Sequence, residues 1–191
     1  MPFWNLKSKF LAQILSALIC VCILPAPRIP AKELLTAKEI ERLQASQRID
    51  VRVKIYLEFA ESRLKAAEER LNGKESEEGD PFEYFTPEDM IEGYDRILNS
   101  VMLTLDDSFQ KSDPLEKSRV QRALKLLKGA AERGAKQLEV LKKIAEEKKK
   151  EGLWDLVNQA IESVGIARQG AEEGISKEPD PEEEKPKRKN R

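Results

Sequence analysis

The sequence predicts an all-α protein: a bundle of about four helices, two long and two shorter, with a disordered charged C-terminal tail. Three observations carry this reading. Ala, Glu, Lys, Arg and Leu dominate a chain that is 36% charged, the composition of long helices. Apolar residues recur in steps of three and four over four separate stretches, which gathers them on one helical face. Strand-like alternation is confined to Ile49, Val51, Val53 and Ile55. Those four lie inside a longer three-and-four pattern and are read as helix too.

The first element is a targeting segment rather than part of the bundle. Lys7 and Lys9 precede an apolar run from Phe10 to Leu24, and Pro25, Ala26, Pro27, Arg28, Ile29, Pro30 and Ala31 break it. That is the order of a secretory signal, and residues 1–31 are assigned to one, with Ala31 as the better cleavage position. A run of fifteen residues interrupted by Gln13 and Ser16 is short of the roughly 20 apolar residues that span a bilayer. The alternative is an uncleaved membrane anchor over residues 10–26. In both cases the body is expected outside the cytoplasm, periplasmic or secreted. Cys20 and Cys22 both fall in the apolar run, so a processed chain would hold no thiol for a disulfide, cluster or metal site. Ile19 and Val21 stand where a lipoprotein signal would want small residues.

Residues 32–176 are expected to form one helical domain, since the roughly 160 residues that follow the signal suffice for a real core. Its first helix opens at Thr36 with Glu39 three residues on, a capping box. The helix is expected to run from about 36 to 72, with a seam of Val53, Leu57, Ala60, Leu64, Ala67 and Leu71. Asn72-Gly73 offers a left-handed stop. The N-terminal half is less regular, because Ser46 and Asp50 fall where the seam would continue. A shifted face or a bend is the expected remedy.

A polar connection follows, then Pro81 to Phe85. The second helix opens at Thr86-Pro87-Glu88-Asp89: a hydroxyl cap, a proline at the first position and two acids at the positive dipole end. Phe85 and Met90 occupy the positions of a hydrophobic staple. Met90, Ile91, Tyr94, Ile97, Leu98, Val101, Met102 and Leu105 form its stripe. The third helix is capped by Ser112-Asp113-Pro114 and carries Val120, Leu124, Leu127, Ala131, Gly134, Leu138, Leu141 and Ala145. Gly152 is read as the interruption before a fourth helix bearing Leu153, Val157, Ala160, Ile161, Val164, Ala167 and Ala171. A turn and a mere kink there are both open. Ala60, Ala67, Ala131 and Gly134 are small seam residues that would let the two long helices approach closely.

Each helix is apolar on one side only, so each must bury that side against another. The intramolecular bundle is preferred to a coiled-coil dimer on the third helix, whose seam lacks the residues that fix a two-stranded register. Residues 177–191, rich in proline and charge, are expected to be disordered.

The chemistry is mostly absence. With no histidine, Ser–His–Asp and Cys–His pairs, the H-E-x-x-H zinc site and the Glu-x-x-His di-iron site are excluded. Phosphate-binding glycine loops are missing as well. No catalytic residue, metal site or cofactor is assigned, and no enzymatic activity is expected beyond a remote carboxylate-only alternative. The formal net charge of −1 becomes more negative without Lys7, Lys9 and Arg28, so nucleic acid is not an expected partner. Glu75, Glu77, Glu78 and Asp80 lack the spacing of a dedicated calcium loop and read as a solvated linker. The weak candidate contacts for a protein or envelope partner are Phe82 and Tyr84 in the loop, and Lys187, Arg188 and Lys189 in the basic tail. For the aromatics the competing role is packing over the bundle end. For the tail it is solubility. The function expected is that of an exported, non-catalytic interaction or structural module, or else of a membrane-tethered one.

Overall fold

The structure, a computed structural model, describes residues 35–111 and 114–177. The signal segment, the Ser112-Asp113 cap and the tail beyond Lys177, with Lys187, Arg188 and Lys189, lie outside the described residues. Within them there are five helices and no strand: α1 Ala37–Gln44, α2 Ile49–Leu71, α3 Pro87–Lys111, α4 Pro114–Glu147 and α5 Glu151–Lys177.

The four longer helices bury the seams that the spacing marked. Val53, Leu64, Ala67, Ile97, Val101, Leu138, Leu141, Ala145, Val157 and Ala160 are wholly inaccessible, and Met90, Ile91, Leu98, Val120 and Leu153 nearly so. All belong to one continuous apolar cluster. At about 25 cal/mol per Å², each buried Leu or Ile contributes roughly 1.5–3 kcal/mol. The seam of α4 is therefore spent inside the molecule rather than on a second chain.

Around the core the helices follow the order α2, α3, α5, α4, with α3 and α4 meeting only weakly across the diagonal. Cross-helix pairs give the directions. Asp50 meets Arg122 and Glu61 meets Arg133, so α2 and α4 run parallel. Lys128 meets Glu172, and the indole N–H of Trp154 donates to Glu146, so α4 and α5 run antiparallel. Ala60, Ala67 and Ala131, all essentially inaccessible, sit on the neighbouring helices α2 and α4, as their size requires. Gly134 serves a different neighbour. A Cβ there would collide with the Tyr94 hydroxyl of α3, so the missing side chain makes room for a phenol.

Two expected boundaries are corrected. No single helix runs from 36 to 72: residues 45–48 break it into α1 and α2. Ala45-Ser46-Gln47-Arg48 offers no large apolar residue to carry a seam. Asp50 then does what an acid does in a first turn, and is buried between Arg48 and Arg122, at 2.7 and 3.4 Å. Burial alone would raise its carboxyl. The hydrogen bonds and charge of Arg48, then the charge of Arg122, more than offset this and hold it below the usual range.

The second correction concerns Gly152, which is not the interruption. It lies in the first turn of α5, and the break falls at residues 148–150. The Lys150 N–H donates to Ala145 and the Lys149 N–H to Glu146, the double closure of a Schellman motif. Lys149 takes the left-handed conformation, φ 55°. The same motif ends α2, where Lys74 donates to Glu69 and Gly73 to Arg70 with Gly73 at φ 84°. There the sequence supplies the residue that the turn favours.

Candidate functional site

Two arginines seven residues apart on α2 hold α1 and the loop before α3. Arg63 lies in the seam's own sector, beside Ala60, Leu64 and Ala67, and is 3% exposed. A buried guanidinium must be paired. Its two terminal nitrogens donate to the Glu39 carboxylate of α1 at 2.9 and 2.8 Å, and one also donates to the Phe59 carbonyl at 3.0 Å. The guanidinium stacks over the Phe82 ring at 5.0 Å, a cation–π contact that adds to a desolvated pair. Gly93 of α3 makes the space: a Cβ there would press on the Arg63 side chain at 3.1 Å.

Glu39 serves twice. Thr36 and Glu39 close the expected capping box, the Glu39 N–H donating to the Thr36 hydroxyl at 3.2 Å and the Thr36 N–H to the Glu39 carboxylate at 2.8 Å. Burial pushes the Glu39 carboxyl up. The Arg63 hydrogen bond and charge, together with Thr36, pull it further down, below the ordinary carboxylate value.

Arg70 holds the 73–86 connection. Its guanidinium donates to the carbonyls of Phe82, Glu83 and Phe85 and to the Ser76 hydroxyl. Phe82 and Phe85 then meet edge to face at 5.9 Å and pack on the core. The two staple positions both turn to the core, Phe85 packing against it and Met90 nearly inaccessible. Thr86 caps α3 through Asp89 at 2.8 and 3.1 Å. Thus the two aromatic candidates part company: Phe82 packs inward on Arg63, whereas Tyr84 is 82% exposed on the braced loop.

A second region lies between α3 and α5. There a groove of about 290 Å³ is lined by Leu105, Phe109, Leu127, Ile166, Ala167 and Gly170, with Asp106, Glu173 and Lys177 at its rim. It exists because α5 presents mostly small side chains to this stretch of α3. A Cβ on Gly170 would meet open space.

Among the described residues no group of three or more His, Cys, Asp or Glu is placed to hold a metal ion. Nor is any helix there long and apolar enough to cross a membrane. The buried Tyr94 phenol is raised well above its usual pKa, by burial first and then by Glu61 and Asp95; it stays neutral and packs against Gly134.

Comparison with protein families, with characterised proteins and with solved structures found no match.

Sequence reasoning named Phe82 and Tyr84 but passed over Arg63, Arg70 and Gly93. The signal was present: a charged residue in the phase of a buried seam, repeated one heptad later, and a glycine inside a strong helix.

Proposed function

We propose that this chain is an exported, non-catalytic helical module that acts through its surface, with Tyr84 as a contact residue. Export is supported by the order of basic, apolar and proline-broken segments over residues 1–31. A binding rather than chemical role is supported by the absence of histidine and by a core made mostly of apolar side chains. The observation that carries the reading is the contrast within the loop. Tyr84 is 82% exposed while Arg70 ties down the carbonyls on both sides of it. A large aromatic held out on a braced loop costs little conformational entropy when it docks, which is how tyrosine anchors behave.

Two measurements test this. N-terminal sequencing of the exported protein is expected to begin at Lys32; an intact Met1 would favour the tethered form anchored by residues 10–26. A photo-crosslinking amino acid at position 84, expressed in the source cells, is expected to give one discrete adduct that the same probe at exposed Lys65 does not. Identical products from both positions would refute the role given to Tyr84.

A further inference from the structure

The attachment of α1 differs from that of the other described helices. Among these it packs on α2 alone, and its one buried apolar residue is Leu43. It is undercut on both flanks. One crevice of about 580 Å³ runs past Phe59, Ser62 and Phe82, and another of about 460 Å³ past Leu43, Arg52 and Tyr56. Apart from Leu43, which reaches the core cluster, α1 is held by the Glu39–Arg63 pair, helped by the exposed pair of Arg42 with Glu58 and by Arg42 over the Phe59 ring at 5.6 Å. The receiving surface also has contacts that do not involve α1. Arg63 bonds the Phe59 carbonyl and lies over Phe82, while Gly93 of α3 leaves its side chain space.

We propose that the surface formed by Phe59, Arg63 and Phe82 is a docking site for an amphipathic helix that presents one carboxylate to Arg63, and that its exchangeable occupant is the α1 of a second copy of this chain. The helix known to fit is α1 itself, with a carboxylate and a leucine four residues later on one face. The link that would release it is the four-residue break at 45–48. Exchange is reciprocal: two chains trade α1 helices, and the Glu39–Arg63 pair that opens within each chain forms again between the two. That is why swapping an element is a low-cost route to a dimer. A short link holds α1 at an effective concentration of order mM, so exchange grows with protein concentration. This inference stands on α1 and Arg63 and does not depend on Tyr84 meeting a partner.

The test uses the full chain with Cys20→Ser and Cys22→Ser, to which Arg42→Cys is added in one preparation and Glu58→Cys in another. A third preparation carries both and serves as control, since a short thiol–thiol crosslinker should join positions 42 and 58 within one chain. The two single variants are mixed and crosslinked over a range of concentrations. The expected result is a 42–58 crosslinked pair of chains whose yield rises with concentration. A saturating free peptide of residues 35–48 should lower that yield by at least about fivefold, because it competes for the same surface. No interchain product while the control closes normally would overturn the proposal. So would an interchain product indifferent to the peptide, which would come from some other encounter.

Discussion

The Arg63–Arg70 side of α2 and the groove between α3 and α5 lie on one bundle but are built by opposite means. On the first, two guanidiniums bind carboxylate, carbonyl and hydroxyl oxygens and so fix a short helix and a fourteen-residue connection, residues 73–86. On the second, glycine and alanine on α5 leave a hollow beside Phe109 and Leu127, with apolar contacts beneath it and one part-buried hydrogen bond, from the Gln121 amide to the Gly174 carbonyl at 3.1 Å. Apolar seams set which helices lie together. They do not specify where a polar loop or a weakly apolar helix comes to rest. Directional, charge-assisted bonds do that, and they bring sensitivity to pH.

The sharpest way to break this contrast is to put a charge where the molecule has none. Leu127→Asp would set an unpaired carboxylate at the groove floor, at a position 2% exposed. It should cost at least about 4 kcal/mol and unfold the domain, read by chemical denaturation. Glu39 escapes that penalty only because Arg63 meets it. Next in size, Arg70→Ala should cost about 2–4 kcal/mol through the loss of several hydrogen bonds to a charged donor. The damage should concentrate in the loop, with amide exchange of residues 74–86 accelerating more than that of the core.

Gly134→Ala should cost about 1–3 kcal/mol by overpacking. Tyr94→Phe, which removes the colliding hydroxyl, should restore most of it, and a double-mutant cycle in denaturant measures the coupling. Acid acts on the buried charged pairs, Glu39 with Arg63 and Asp50 with Arg48 and Arg122. Glu39 and Asp50 have folded values below their unfolded ones, so their contribution is complete above roughly pH 4–5 and is lost as pH falls through the folded values. Far-UV circular dichroism and amide exchange should show α1 released before α2 to α5 melt. The smallest effects should be gains. Lys149→Gly relieves a left-handed lysine, and Gly170→Ala fills open space on a helix, each adding roughly 0.5–1 kcal/mol of stability in a denaturant titration.

The division of labour also explains what could be read in advance. Periodicity reports on burial of apolar faces, so the seams of α2 to α5 were legible, down to Val53, Leu64, Leu138 and Val157. Caps are local, so Thr36 with Glu39, Thr86 with Asp89, and Gly73 were legible too. The break at 45–48 was visible only as irregularity, because it is completed by a pair 24 residues apart, Glu39 with Arg63. The turn at Lys149 was hidden by its residue type: the sequence offered Gly152 nearby, and a lysine took the left-handed position instead. Arg63 and Arg70 went unread because a charge on a helix is ordinarily solvated. Their meaning lay in their phase, and Gly93 shows it only once its neighbour across the α2–α3 interface is known.

The central claim is that one apolar core holds α2 to α5 together while α1 is fastened chiefly by a charged pair. Native-state amide hydrogen exchange near neutral pH tests it most directly. Amides of α1 should open at free energies at least about 2–3 kcal/mol below a common value shared by the core positions of α2 to α5. Protection of α1 equal to that of the core, or unrelated opening energies among α2 to α5, would contradict it.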